Sequence, residues 1–165
     1  MSLSVRQVAG RAGSVVERLW PIYVHYLSEF RGTLPDATGS LVFKRERLTS
    51  YVEDTRGDRV GYLAWQGDHP VGLALVRGWL DGPRMIGHFL VVRGVRRTGL
   101  GRDLGLDVIG RHERPWEVAF QEDNAGAARF WRGIADTAFG DDWHEERRPV
   151  PDQPELPPDV WIVAS

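Results

Sequence analysis

Apolar side chains recur along this chain in two rhythms. Leu3 and Val5 alternate with polar neighbours, with Val8 following, which predicts a short strand. Val15, Val16, Leu19, Trp20, Tyr23, Tyr26, Leu27 and Phe30 then return every three or four positions, the spacing of a helix with one apolar face that Ser14 is expected to cap. Pro21 lies inside that pattern and predicts a kink or split, because proline removes a backbone donor and crowds the preceding turn. The polar and turn-forming stretch 31–39 reads as a loop before a weaker helix from about Val42 to Asp54. Arg59 to Gln66 and Val71 to Leu80 are two apolar runs joined by Gly67-Asp68-His69-Pro70, a hairpin signal, and Asp81-Gly82-Pro83 is a further turn. Met85 to Val92 is almost continuously apolar and predicts a strand buried on both faces. A helix is expected from the glycines at 99 and 101 to about Arg111, a strand over Trp116 to Gln121, and a short helix over Ala125 to Ile134 capped by Asn124. Five of the ten prolines fall between Pro149 and Pro158, so the tail is extended before strand-like Val160 to Val163. This order describes an α/β fold, with a mixed central sheet flanked by helices.

Composition narrows what such a domain can do. At 165 residues there is room for one domain, 1–165, since a chain of roughly 150 residues buries close to 70% of its unfolded surface in a single core. No cysteine is present, which excludes disulfides, thiolate metal sites and an acyl-cysteine intermediate. The 21 basic and 23 acidic side chains nearly cancel, and a pI near 6.2 argues against nucleic acid as a partner. No apolar run reaches membrane-spanning length and no signal-peptide layout opens the chain, so the expected compartment is the cytoplasm, with no membrane partner. Lys44, the only lysine, follows Phe43 and not a glycine, which removes a P-loop. The acidic stretch Asp141, Asp142, His144, Glu145, Glu146 lacks metal-ligand spacing and reads as a solvated turn; no metal site is expected.

The chemistry concentrates after Val92. Arg96-Arg97-Thr98-Gly99-Leu100-Gly101 lies between a strand and a helix, where backbone N–H groups and the positive end of the helix dipole converge on a bound anion. Glycines at 99 and 101 allow close approach, and Arg96, Arg97 and Arg102 add charged donors. Gly99, Gly101 and Gly105 miss the dinucleotide fingerprint by one residue.

The run Leu90-Val91-Val92-Arg93-Gly94-Val95-Arg96-Arg97-Thr98-Gly99-Leu100-Gly101 resembles the acyl-CoA-binding motif of the GNAT N-acetyltransferases, and Asn124-Ala125-Gly126-Ala127-Ala128-Arg129-Phe130-Trp131 is similar to that family's second motif. Tyr26-Leu27-Ser28-Glu29-Phe30 and Trp116-Glu117-Val118-Ala119 further resemble a small bacterial subgroup whose substrates are generally unassigned. The resemblance implies a GNAT-like fold, acetyl-CoA as cofactor, and direct transfer to an amine in a ternary complex. It places the pantetheine arm on Leu90, Val91 and Val92, the pyrophosphate on Arg96, Arg97, Thr98, Gly99, Leu100, Gly101 and Arg102, and the far wall of the cofactor on Asn124, Phe130 and Trp131. His88 holds the position of the family's catalytic base. The family's usual acid is a tyrosine where this chain has Trp131, which leaves Tyr23, Tyr26, Tyr62 or water to protonate the leaving thiolate. Tyr23, Tyr26, Glu29 and Glu117 are the candidates for acceptor binding, the carboxylates suited to a cationic amine. A small-molecule amine is the expected acceptor; a protein amine and a non-catalytic acyl-CoA sensor are the rival readings. Exposed C-terminal strands make a homodimer compatible with the fold.

Overall fold

The computed structural model describes residues 3–41, 45–53, 57–78, 80, 82–151 and 153–165, with the side chains of 45–47 left aside. Its elements run β1 (Leu3–Gln7), α1 (Ala12–Arg31), α2 (Arg45–Val52), β2 (Arg59–Gln66), β3 (His69–Arg77), β4 (Arg84–Val91), a short 3₁₀ turn, α3 (Leu100–Gly110), β5 (Trp116–Phe120), α4 (Ala125–Phe139), β6 (Trp143–Arg148) and β7 (Asp159–Ala164). The seven strands form one sheet in the order β1-β2-β3-β4-β5-β7-β6. β4 and β5 are parallel, and every other neighbouring pair among the described residues is antiparallel.

Alternation along the central strands sorts the core into two layers. Leu63, Leu73, Leu75 and Leu90 face α1 and α2, where they meet Val16, Leu19, Trp20 and Val24. Ala64, Ala74, Val76 and Val91 face α3 and α4, where Leu104, Val108, Trp131 and Ile134 close the second layer. No helix among the described residues is long and apolar enough to cross a membrane.

Several boundaries differ from the pattern. The helix α1 runs unbroken through Pro21, and Arg11, not Ser14, precedes its first turn; the Ser14 hydroxyl bonds back to the Arg11 carbonyl instead. Proline inside a helix costs about 3 kcal/mol. Here its ring faces solvent, while Val16, Leu19, Trp20 and Val24 are buried on the opposite face, each contributing about 1.5–3 kcal/mol. The stretch 31–39 therefore begins as helix, and Gly32 at φ 63° ends it. Of the second predicted helix, 42–44 and 54 lie outside the described residues, as do Trp79 and Asp81 of the next strand and turn. The first hairpin turn is tighter than expected, Gln66 pairing directly with His69. Of the acidic stretch, Asp141 and Asp142 form an exposed turn as read, while His144, Glu145 and Glu146 continue as strand β6.

The strand β4 carries the feature that shapes the site. Leu75 of β3 pairs with His88 but Val76 pairs with Ile86, so Gly87 is an extra, bulged residue. The bulge puts Ile86, Phe89 and Val91 toward α3 and α4, and His88 and Leu90 toward α1 and α2. A Cβ at position 87 would lie 2.6 Å from the Tyr51 hydroxyl, so glycine is what lets α2 close over the bulge. The strand is not uniformly buried as the apolar run suggested; Gly87, His88 and Phe89 are half-buried, and Gly87 and Phe89 border cavities.

Candidate active site

The parallel pairing of β4 with β5 stops at Ile86 and Val118. Beyond that point the two strands part, and the β5-facing backbone edge of Gly87 to Val91 is left without a sheet partner. A cavity of about 720 Å³ fills the gap. Its sides are the second half of α1 (Tyr23, Tyr26, Leu27, Glu29, Phe30), β4 (Phe89, Leu90, Val91), and the start of α4 (Asn124, Ala127, Phe130, Trp131). Its far end is the loop into α3, with Arg93, Arg96, Arg97, Gly99, Gly101 and Arg102.

That loop is built to hold an anion. Gly99 adopts φ 91° at the N-terminus of α3, and the first intrahelical bond runs from the Asp103 N–H to the Gly99 carbonyl, so the N–H groups ahead of it have no acceptor within the helix. Arg96 is fixed in place: its Nε donates to the Val91 carbonyl at 2.9 Å and its guanidinium lies 4.4 Å from the centre of the Tyr26 ring. Burial, with Arg93 nearby, lowers the Arg96 pKa from its ordinary value. Tyr26 also accepts from the Arg93 N–H at 3.2 Å, so it ties α1 to the loop. It stands at the anion end of the cavity rather than among groups suited to an amine. Glu29 is exposed at the rim of the same cavity.

Ten of the thirteen residues expected to hold the cofactor border this cavity; Val92, Thr98 and Leu100 do not. Val92 packs toward α1, the Thr98 hydroxyl donates to the Val95 carbonyl at 2.7 Å, and Leu100 is buried beneath the loop. Asn124 caps α4 by accepting from the Ala127 N–H at 3.0 Å while its residue borders the cavity. Trp131 packs edge-on against Phe89, with ring centres 4.9 Å apart.

A second cavity, of about 240 Å³, continues past the parting strands. The two share Tyr23, Leu27, Phe89, Asn124, Ala127 and Trp131 in their linings and so adjoin there. Tyr23 lines both cavities, and its hydroxyl lies 3.0 Å from His88 Nδ1. His88 itself borders neither cavity; it is boxed by the rings of Trp20, Tyr23 and Tyr51 at centre distances of 4.8, 5.3 and 5.7 Å.

Two further candidates are not brought to the cavities. Glu117 accepts both arms of the Arg148 guanidinium at 2.9 Å and borders neither cavity. Tyr62 is 3% exposed and bonded to His112 Nε2 at 2.7 Å, with its hydroxyl pKa raised by burial. Conversely, Arg31, Gln121 and Asp159 border the second cavity, and sequence reasoning passed them over. Arg31 and Asp159 are 128 positions apart, and no local motif marks either one.

The residues present fit an acyl-CoA. A cleft of this volume lies in the range of cofactor sites, one end offers helix N-terminal N–H groups with three arginines for phosphate, and the middle offers an unpaired strand edge for amides. By sequence the chain matches no family model and no curated relative. In structure it is similar to an N-acetyltransferase from Staphylococcus aureus Mu50, at TM-score 0.67 and 10% identity over 100% of this chain and 98% of that one. It is similar to the Bacillus subtilis acetyltransferase in complex with CoA, at 0.64 and 12% over 99% of each chain. It is also similar to a GNAT family acetyltransferase from Elizabethkingia anophelis with acetyl-CoA bound, at 0.59 and 12% over 98% and 95%. The mixed seven-stranded sheet, parted between β4 and β5 above a glycine-bearing helix start, is thus the GNAT acetyltransferase fold.

Proposed function

We propose that the chain is an acetyl-CoA-dependent N-acetyltransferase acting on a small amine by direct transfer. The observation that carries this reading is the junction of the two cavities, which Tyr23 lines on both sides with its hydroxyl 3.0 Å from His88 Nδ1. Acetyl-CoA, held in the larger cavity, would supply a thioester carbonyl; the C–N bond to the amine forms as the C–S bond breaks, and CoA departs as the free thiol. Arg96, Arg97 and Arg102, with the N–H groups from Gly99 to Gly101, hold the diphosphate; Leu90 and Val91 offer backbone to the pantetheine amides; Phe130, Trp131 and Asn124 line the opposite wall.

An amine attacks only as the free base, so a proton must leave it. The Tyr23 hydroxyl receives that proton as its own passes to His88 Nδ1, which requires the neutral imidazole to carry its hydrogen on Nε2. Tyr23 is therefore the group that meets substrate, and His88 stores the proton one step behind. The same pair can return the proton to the departing thiolate, a task for which the indole of Trp131 is unsuited. The test is release of free thiol from acetyl-CoA by the purified protein across a panel of small amines. Amine-dependent release supports the assignment; tight CoA binding with no release on any amine overturns it in favour of a sensor.

A further inference from the structure

The second cavity says what kind of amine fits. Seven of its lining positions belong to it alone: Arg31, Ile86, Gly87, Ala119, Phe120, Gln121 and Asp159. They line the second cavity beyond the wall it shares with the first, where the far end of an acceptor reacting at Tyr23 would extend. Among these seven, the charged and amide side chains, Arg31, Gln121 and Asp159, gather in one cluster. Asp159 is 9% exposed, and its carboxylate has one partner among the described residues, Arg31 Nη2, at 3.4 and 3.5 Å to its two oxygens. A carboxylate has about four acceptor sites, so most of this one is unused. Arg31 has a second neighbour: with the Gln121 amide oriented by its surroundings, the amide oxygen packs against the guanidinium, 3.0 Å from Nη1 and 3.1 Å from Nη2. The carboxylate's one bonded partner is thus shared with Gln121, and acceptor capacity on Asp159 is left over. The burial that raises the Asp159 pKa against the opposing effect of Arg31 points the same way: this carboxylate is under-compensated.

Resting on the transferase reading above, we infer that the second cavity selects compact diamines, with Asp159 gripping the non-reacting, cationic nitrogen while the other end reaches Tyr23. A volume of about 240 Å³ matches roughly eight water molecules of liquid, enough for a short diamine and too little for a folded peptide segment.

The experiment compares 1,5-diaminopentane, 5-amino-1-pentanol and 5-aminopentanoate, which share one length and differ at the far end. Thiol release is expected to favour the diamine over the alcohol by about tenfold or more in kcat/KM, with the carboxylate poorest. D159N should remove most of the diamine's advantage, so that its kcat/KM falls about tenfold toward that of the alcohol. Calorimetric titration of the CoA-loaded protein with diaminopentane gives a second readout that needs no turnover, and D159N should abolish that binding. A diamine preference that survives D159N, or a preference for the carboxylate, overturns the inference. Absence of turnover on every amine, with diamine binding that D159N removes, would instead strike the transferase reading and leave the site standing. If D159N fails to fold, Q121E decides: a new carboxylate beside Arg31 should raise the diamine-to-alcohol ratio, and an unchanged ratio counts against the site.

Discussion

Replacing Gly99 with alanine isolates the geometry of the anion loop. Gly99 sits at φ 91° and ψ −19°, and no heavy atom lies within 4 Å of where a Cβ would be built, so the substitution creates no clash and acts through the backbone alone. A non-glycine residue in a left-handed conformation costs roughly 1–2 kcal/mol. For a chain of this length each kcal/mol moves the melting temperature by about 2–4 °C, so G99A should melt roughly 2–8 °C lower if the loop holds its shape. If the loop relaxes to negative φ instead, the N–H groups turn out of the cavity and the same energy appears as a roughly five- to thirtyfold weaker Kd for CoA. Arg97 supplies the contrast within the same loop, because it holds φ 66° without being glycine. In R97G the strain relieved outweighs or balances glycine's extra backbone entropy of about 0.5–1 kcal/mol, so its melting temperature should equal or exceed that of the wild type. Thermal unfolding with and without CoA, together with calorimetric CoA titration, reads both variants. A G99A protein that melts and binds CoA like the wild type would refute the argument.

Three further expectations follow from side-chain geometry. Tyr23→Phe keeps the ring against Trp20 and His88 but removes the hydroxyl; kcat should fall about a hundredfold with the KM for acetyl-CoA nearly constant, and His88→Gln should lower kcat about tenfold or more, whereas full activity of either variant across the pH range would discard the proton path. Gly87→Ala drives a methyl into the Tyr51 hydroxyl, for an expected loss of about 1–3 kcal/mol in urea unfolding; an unchanged midpoint would mean that the Tyr51 ring swings aside freely. His112 has its pKa lowered from 6.5 by burial, with Arg84 and Arg111 adding to the effect, so the unfolded chain binds more protons between that lowered value and 6.5, and stability should rise with pH across this window; H112Q should flatten the rise, and an identical slope in the variant would reject the assignment.

What could be read in advance was whatever the chain encodes locally. The loop from Arg96 to Gly101 and the Asn124 cap each depend on residues within a few positions of one another, and both appear where the pattern put them. The edge strand β6 escaped because its sequence, WHEERR, carries no apolar alternation. An edge strand can be built from charged side chains when each finds a partner, as Glu145 does with Arg132 at 2.6 Å and Arg148 with Glu117. Those pairs also explain why Glu117, a reasonable amine ligand on paper, is engaged elsewhere. The Tyr23 and His88 pair spans 65 positions and depends on the bulge at Gly87, which turns His88 toward α1; a glycine inside an apolar run does not announce a bulge. Arg31, Gln121 and Asp159 meet because β7 inserts between β5 and β6, a topological fact that no short stretch of sequence contains.

The central claim is direct transfer at the junction of the two cavities, and initial-rate kinetics tests it most directly. With acetyl-CoA and a diamine varied against each other, double-reciprocal plots of thiol release should intersect, as a ternary complex requires. Parallel lines, or no amine-dependent release at all, would contradict it.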